Sequence, residues 1–304
     1  MTERENALHA LRGDGKTAWV PCISKSVDLL LSPYIEEKKR EGMDWFGIDW
    51  KDEVPVTRLT DDITRWREVL KFPDLEAIDW KSAAEAAEKT LDRKNRVTWA
   101  MISVGLFERL HTILSFEDAL TSFYLEPDET SALISALADF RYRLTEKVLD
   151  YFDPDVINFR DDYGTQLNTF FSPEIFRTFL KPHITRLVKQ AHDRDKIFVL
   201  HCCGKVDSLI GEFVDMGVDV WDSVQPCCNL PEIYASWGDR IGFCSVLDLQ
   251  LFQQCTEEEA RASVRNTIDM LGGNRRLMIW DSFPLSLPLS ESVITDEVTR
   301  YGKY

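Results

Sequence analysis

Short runs of β-branched and aromatic residues alternate with amphipathic stretches of helical period along almost the whole chain, a pattern that few folds accommodate. The candidate strands are Trp19–Ile23, Trp45–Trp50, Val97–Ser103, Asp155–Phe159, Lys196–His201, Val218–Trp221, Ile241–Val246 and Arg276–Trp280. Between them lie helical stretches such as Asp128–Tyr151, Pro173–Asp193, Val206–Met216 and Thr256–Leu271. Start signals support two of these: Ser172-Pro173-Glu174 sets Ser at an N-cap with Pro behind it, and Thr256 to Glu259 has the form of a capping box. Alternation of this kind demands a parallel sheet with right-handed crossovers, and eight units predict closure into a (β/α)8 TIM barrel. An open doubly wound sheet would want a glycine fingerprint for phosphate, and neither G-x-G-x-x-G nor G-x-x-x-x-G-K-[ST] occurs. The expected organisation is one domain over residues 1–304, with an N-terminal helical extension and an acidic, Trp-containing insertion at Asp52–Lys94 that covers one barrel end.

Charge narrows the function classes. Asp and Glu number 52 against 36 Lys and Arg, a net charge of -16, and no basic block stands out. Nucleic acid and anionic membrane surfaces are therefore excluded as generic partners, since either needs a positive footprint. The longest uncharged runs, Val97–Phe107 and Tyr163–Pro173, fall far short of the roughly 20 residues of a spanning helix. Met1 to Asn6 lacks the apolar core of a secretory signal, so a cytoplasmic protein is expected. Seven cysteines, four of them in the adjacent pairs Cys202-Cys203 and Cys227-Cys228, suit no disulfide framework. Reduced thiols of this kind are either buried small hydrophobes or metal ligands and nucleophiles.

In a parallel barrel the chemistry collects at the C-terminal tips of the strands. Those tips carry Asp161-Asp162-Tyr163-Gly164-Thr165-Gln166, His201-Cys202-Cys203-Gly204, Asp222-Ser223-Val224-Gln225 and Asp281-Ser282. His201 and Cys203 are either a core histidine beside small thiols or an N and S pair for zinc. Asp161 and Asp162 form an acid–base pair or a ligand with its hydrogen-bonding partner, although adjacent residues leaving a strand point in opposite directions. Gln166 and Gln225 either bind a substrate carboxylate, amide or corrinoid side chain or satisfy backbone groups.

Taken in order, Asp161-Asp162-Tyr163-Gly164-Thr165-Gln166, Ser172-Pro173-Glu174, Lys181-Pro182, His201-Cys202-Cys203-Gly204-Lys205-Val206, Met216-Gly217-Val218-Asp219-Val220-Trp221 and Gln225-Pro226 resemble the uroporphyrinogen decarboxylase superfamily. The resemblance runs from Glu5-Asn6-Ala7-Leu8 through Phe72-Pro73-Asp74-Leu75 to Tyr301-Gly302-Lys303-Tyr304, and it is greatest toward the zinc-dependent, corrinoid-linked methyltransferases. The decarboxylases carry an N-terminal Gln-Ala-Gly-Arg-type motif for their acidic porphyrinogen; here the corresponding region is Pro21-Cys22-Ile23-Ser24-Lys25, without that arginine. A strongly acidic chain also suits a polycarboxylate badly.

The methyltransferase branch implies a His-x-Cys pair and a later cysteine just ahead of a Pro-rich helix start. Matching Pro284 and Pro288 to those prolines places Asp281 where that cysteine would stand, so His201, Cys203 and Asp281 become the expected zinc ligands. The resemblance thus implies transfer of a methyl group from a small methylated substrate, such as an aromatic methyl ether undergoing O-demethylation, to the cobalt of a corrinoid protein. No Asp-x-His-x-x-Gly corrinoid motif occurs, so the corrinoid would arrive on a partner. Asp161 or Asp162 would supply a proton, and Tyr163, Gln166, Gln225 and Trp45 would contact substrate, with Trp66 a further stacking candidate. The alternatives are methylcorrinoid:thiol transfer of the coenzyme M or homocysteine type, a uroporphyrinogen decarboxylase-like reaction, and a barrel that binds corrinoid without catalysis.

Overall fold

The computed structural model describes residues 1–30, 41–52, 54–245, 247–252, 254–281 and 291–304. The strands in chain order are β1 (Val27–Leu30), β2 (Glu41–Met43), β3 (Asp49–Lys51), β4 (Val54–Pro55), β5 (Val97–Ile102), β6 (Val156–Arg160), β7 (Ile197–His201), β8 (Val220–Val224), β9 (Gly242–Ser245) and β10 (Leu277–Ile279). Seven described strands form a parallel sheet in the order β1-β5-β6-β7-β8-β9-β10. The free side of β10 meets the chain just ahead of β1 through the parallel bridge between Cys22 and Ile279, with the Ile279 N–H donating to the Pro21 carbonyl at 3.0 Å. The sheet thus curls round on itself, and the fold is α/β and TIM-barrel-like. No described helix is long and apolar enough to cross a membrane.

Two of the eight expected strands are corrected. Trp19–Ile23 contributes single bridges, and after the helical turn Ile23–Ser26 the chain extends as β1. Asp28 disguises β1 in the sequence as a polar stretch; an ion pair with Arg96 at 2.6 Å makes the acid tolerable. Trp45–Trp50 is not a barrel strand. The Asp44 carboxylate accepts from the Phe46 and Ile48 amides and Gly47 takes φ +77, so the run turns back and joins the antiparallel sheet β2-β3-β4. Asp44 also accepts from Trp50 Nε1 at 3.0 Å and pairs at 2.6 Å with Arg109, both side chains being wholly buried, which fastens this sheet to the helix Leu106–Ile113. Residue 246, the expected end of β9, lies outside the described residues.

The excursion that follows packs in part along the helix Pro127–Phe152. Phe72 lies against Phe140 at 5.8 Å, Trp66 Nε1 donates to Glu129 at 3.0 Å, and Trp80 stacks on Tyr151.

Strand periodicity sorts the core into two layers. Ala100, Ile102, Ile157, Phe159, Phe198, Leu200, Trp221 and Phe243 point out beneath the helices. Val27, Val97, Trp99, Met101, Val156, Ile197, Val199, Val220, Cys244 and Met278 point inward and share a cluster with Ala7, Ala10 and Leu11. Those last three belong to the helix Glu3–Arg12, set by the Thr2–Glu5 capping box and ended by Gly13 at φ +67.

Candidate functional site

The same alternation decides which tips face the axis. On β6, β7 and β8 the inward positions after Val156, Val199 and Val220 fall to Asn158 and Arg160, to His201, and to Asp222. An aliphatic interior therefore gives way to ionisable groups at its C-terminal end. His201 Nδ1 lies 2.8 Å from Asp222 Oδ2, and Arg160 Nη2 lies 3.2 Å from His201 Nε2. Burial and the Arg160 guanidinium act to lower the His201 pKa; the Cys203 sulfur and Asp222 outweigh them and raise it to about 10. Burial opposes ionisation of Asp222, yet His201 and Arg160 hold its carboxyl below the ordinary range.

Two loops deliver the remaining donors. Gly204 adopts φ +89 and sits so close to Gly164 that a Cβ there would fall 2.3 Å from the Gly164 carbonyl oxygen. That contact draws the loops after β6 and β7 together, and the Cys203 amide donates to Asp162 Oδ1 at 2.8 Å. Asp162, His201 and Cys203 each offer a ligand atom, and these atoms lie within 4.8 Å of one another. On β8 a bulge between Asp222 and Val224 puts Ser223 at φ +70 and sets its Oγ 3.0 Å from Cys203 Sγ.

The donor geometry can be compared with what zinc requires. Bonds of about 2.0–2.3 Å in a tetrahedron give ligand-to-ligand edges of about 3.3–3.6 Å. His201 Nε2 stands 3.4 Å from Cys203 Sγ, inside that range, and 3.7 Å from Asp162 Oδ1, just beyond it, so the donor types suit zinc and a small inward shift of Asp162 would close the set. Asp222 completes the carboxylate–histidine arrangement that holds the Nδ1–H and fixes the ring, so that an ion would bind at Nε2 by displacing its proton and the Arg160 contact.

The third donor in this group is Asp162 and not Asp281. The Asp281 carboxylate is wholly buried and already accepts from the Ser24 amide at 2.9 Å, the Ser24 hydroxyl at 2.5 Å and the Thr295 hydroxyl at 2.6 Å. It ties the chain before β1 to the C-terminal helix Glu291–Tyr301. Ser282, Pro284 and Pro288, which frame the expected third ligand, lie outside the described residues.

Asp161 faces away from the axis. Its oxygens accept from the Leu106, Phe107 and Glu108 amides at 2.8–3.0 Å and from the Tyr163 hydroxyl at 3.0 Å, capping the helix Leu106–Ile113 from a neighbouring strand. Gly105 is required there, because a Cβ would come within 2.4 Å of the Asp161 side chain. Burial and Glu108 push the Asp161 pKa up to about 7 against those donors. Tyr163 is fully buried against Phe171 and Phe176, and Trp45 is half-buried against the outer core, so neither joins the cluster. Trp66 is likewise buried, with its indole N–H committed to Glu129. Gln166 and Gln225 do reach the rim: they bond each other at 3.1 Å across the loop tips, and Gln225 Oε1 also accepts from the Gly204 amide.

The sequence reading missed Arg160, and it named Asp222 and Ser223 at a strand tip without giving either a role. The candidate strands stopped at Phe159 and Trp221; one more residue on each, counted inward by parity from Val156 and Val220, would have turned Arg160 and Asp222 toward the axis. The bulge that aims Ser223 leaves no comparable sequence signal.

A curled parallel α/β sheet with a His, Cys and Asp donor group at its C-terminal mouth defines the class: a barrel protein with a candidate metal centre. The chain belongs to the uroporphyrinogen decarboxylase (URO-D) family, whose model matches residues 46–279. Among solved structures it is similar to a methyltransferase from Methanosarcina mazei, at 15% identity over 99% of both chains with a TM-score of 0.67. It is also similar to Old Yellow Enzyme from Pichia sp. AKU4542, at 10% identity over 100% of this chain and 80% of that one, with a TM-score of 0.47. At 15% identity the likeness to the methyltransferase is one of fold. No curated protein matches the chain.

Proposed function

We propose that the chain is a zinc-dependent methyltransferase that moves a methyl group between a small methylated substrate and the cobalt of a corrinoid protein. The observation that carries this reading is the Asp162–His201–Cys203 donor group at the barrel mouth. His201 would bind through Nε2, with Cys203 Sγ and an Asp162 oxygen as the other ligands, leaving a fourth position for substrate. Zinc held there would supply Lewis-acid activation of the substrate's heteroatom. A donor set with one sulfur and one carboxylate suits an ether oxygen better than a thiol, which favours O-demethylation of an aromatic methyl ether over transfer to coenzyme M or homocysteine. Asp222 orients His201, and Ser223 steadies the Cys203 sulfur. Of the paired aspartates, Asp162 keeps the role at the mouth, while Asp161 holds a helix in place. Gln166 and Gln225 would border the bound substrate.

The contact between Arg160 and His201 Nε2 favours a second reading, in which the guanidinium replaces the ion and the barrel binds its ligand without turnover. Metal analysis separates the two. The first expects about one zinc per chain, lost in His201→Ala and Cys203→Ala, reduced in Asp162→Ala and retained in Asp281→Ala. It also expects methylcobalamin from methoxylated aromatics and cob(I)alamin, followed by absorbance. A metal-free wild type that forms no methylcobalamin from ether, amine or thiol donors would leave the second reading standing.

A further inference from the structure

Arg160 ends β6 on the inward side, half-buried beside the donor group. Its guanidinium has five N–H donors, and among the described residues its one side-chain hydrogen bond is the 3.2 Å contact with His201 Nε2. Asp222 feels its charge, but no described carboxylate lies within ion-pair distance of it, although acids outnumber bases 52 to 36 and other buried or half-buried arginines, Arg4, Arg109 and Arg261, each hold one. Lys205 on the adjoining loop is already committed to Asp207 and the Cys227 carbonyl. The two glutamines at the rim are neutral. An ion held by His201 would displace the guanidinium from Nε2 and leave its planar fork in need of another partner. A fork of that shape fits a carboxylate through two parallel hydrogen bonds.

We infer that Arg160 selects a substrate bearing a single carboxylate, holding that group while the methylated end reaches the Asp162–His201–Cys203 donors. The inference rests on the reading of this mouth as the methyl-transfer site, and it names the substrate class: a methylated monocarboxylate rather than a neutral ether or a polycarboxylate. Among the described residues Arg160 is the cation beside the donor group with no carboxylate at ion-pair distance, and one such cation matches one negative charge.

Calorimetry of 4-methoxybenzoate, benzoate and uncharged methoxybenzene against wild type, Arg160→Lys and Arg160→Gln tests this. Both carboxylates are expected to bind wild type, to weaken about 10- to 100-fold in Arg160→Gln, and to weaken less in Arg160→Lys, which keeps the charge but loses the fork. Methoxybenzene binding should not change among the three. Equal carboxylate affinity in wild type and Arg160→Gln, or no carboxylate binding to wild type, overturns the inference. Zinc content and melting temperature are measured on the same preparations. Zinc present with no arginine effect removes only the role of Arg160, whereas arginine-dependent binding without zinc removes only the metal reading.

Discussion

The lower and upper halves of the barrel interior are built by the same strands and obey different rules. Below, Val97, Trp99, Val156, Ile197 and Val220 fill the axis with apolar volume sealed by the helix Glu3–Arg12. One inward step further along β6, β7 and β8, Asn158, His201 and Asp222 replace that volume with polar groups that are as little exposed as the core below them. Burying such groups costs free energy unless each finds a partner, and Asp222 is the hub that supplies it: His201 at 2.8 Å and Asn158 at 3.4 Å. The lower half is selected for filling space, the upper half for holding particular atoms apart.

A pair of substitutions can break this contrast. Trp99→Ala in the lower half should cost about 3–5 kcal/mol of stability, read as a falling denaturation midpoint, with zinc still bound by whatever remains folded. His201→Ala in the upper half should abolish zinc binding while shifting the denaturation midpoint far less. If the two variants lose stability and metal in parallel, the division into halves is wrong.

The halves were also unequally legible. Aliphatic and aromatic runs identify β5, β6, β7, β9 and β10 because their buried strands are apolar on both faces. β1 escaped because Asp28 breaks its run, and Trp45–Trp50 misled because an aspartate bonded to its own backbone bends an otherwise strand-like segment. In the site, His201 and Cys203 were readable from a two-residue spacing at a strand tip. Asp162 could be separated from Asp161 only by knowing which of two neighbours faces the axis, and Asp281 drew attention through its position near two prolines. What Asp281 does, accepting from Ser24 about 260 positions earlier, is a tertiary contact that no local pattern encodes.

Asp222→Asn sharpens the contrast within the upper half. The substitution keeps the shape but weakens the acceptor facing His201 Nδ1, so the imidazole is no longer fixed with Nε2 toward the donor group. Zinc affinity should fall about 10- to 100-fold, measured by competition with a chromogenic chelator, with the fold retained. Unchanged affinity would mean that Asp222 is there for Asn158 and the fold rather than for the donor group.

Glu297 supplies the control from outside the barrel, since it too is a buried carboxylate among cations but has no part in the mouth. Arg261, Arg265 and Arg300 reach it at 2.6–3.0 Å, and although burial alone would raise its pKa, these arginines hold it down at about 2. A carboxyl whose folded pKa lies below its unfolded value of about 4.3 contributes stability at higher pH and loses it as pH falls through that interval toward 2. Glu297→Gln should therefore flatten the acid limb of the stability curve between about pH 4.3 and 2. At pH 7 it should cost only about 1–2 kcal/mol, because the arginines keep access to water. Zinc content should not move. A buried acid that alters stability without altering metal, beside Asp222, which does the reverse, would establish that burial and charge do not by themselves mark a site; what distinguishes Asp222 is the imidazole it orients.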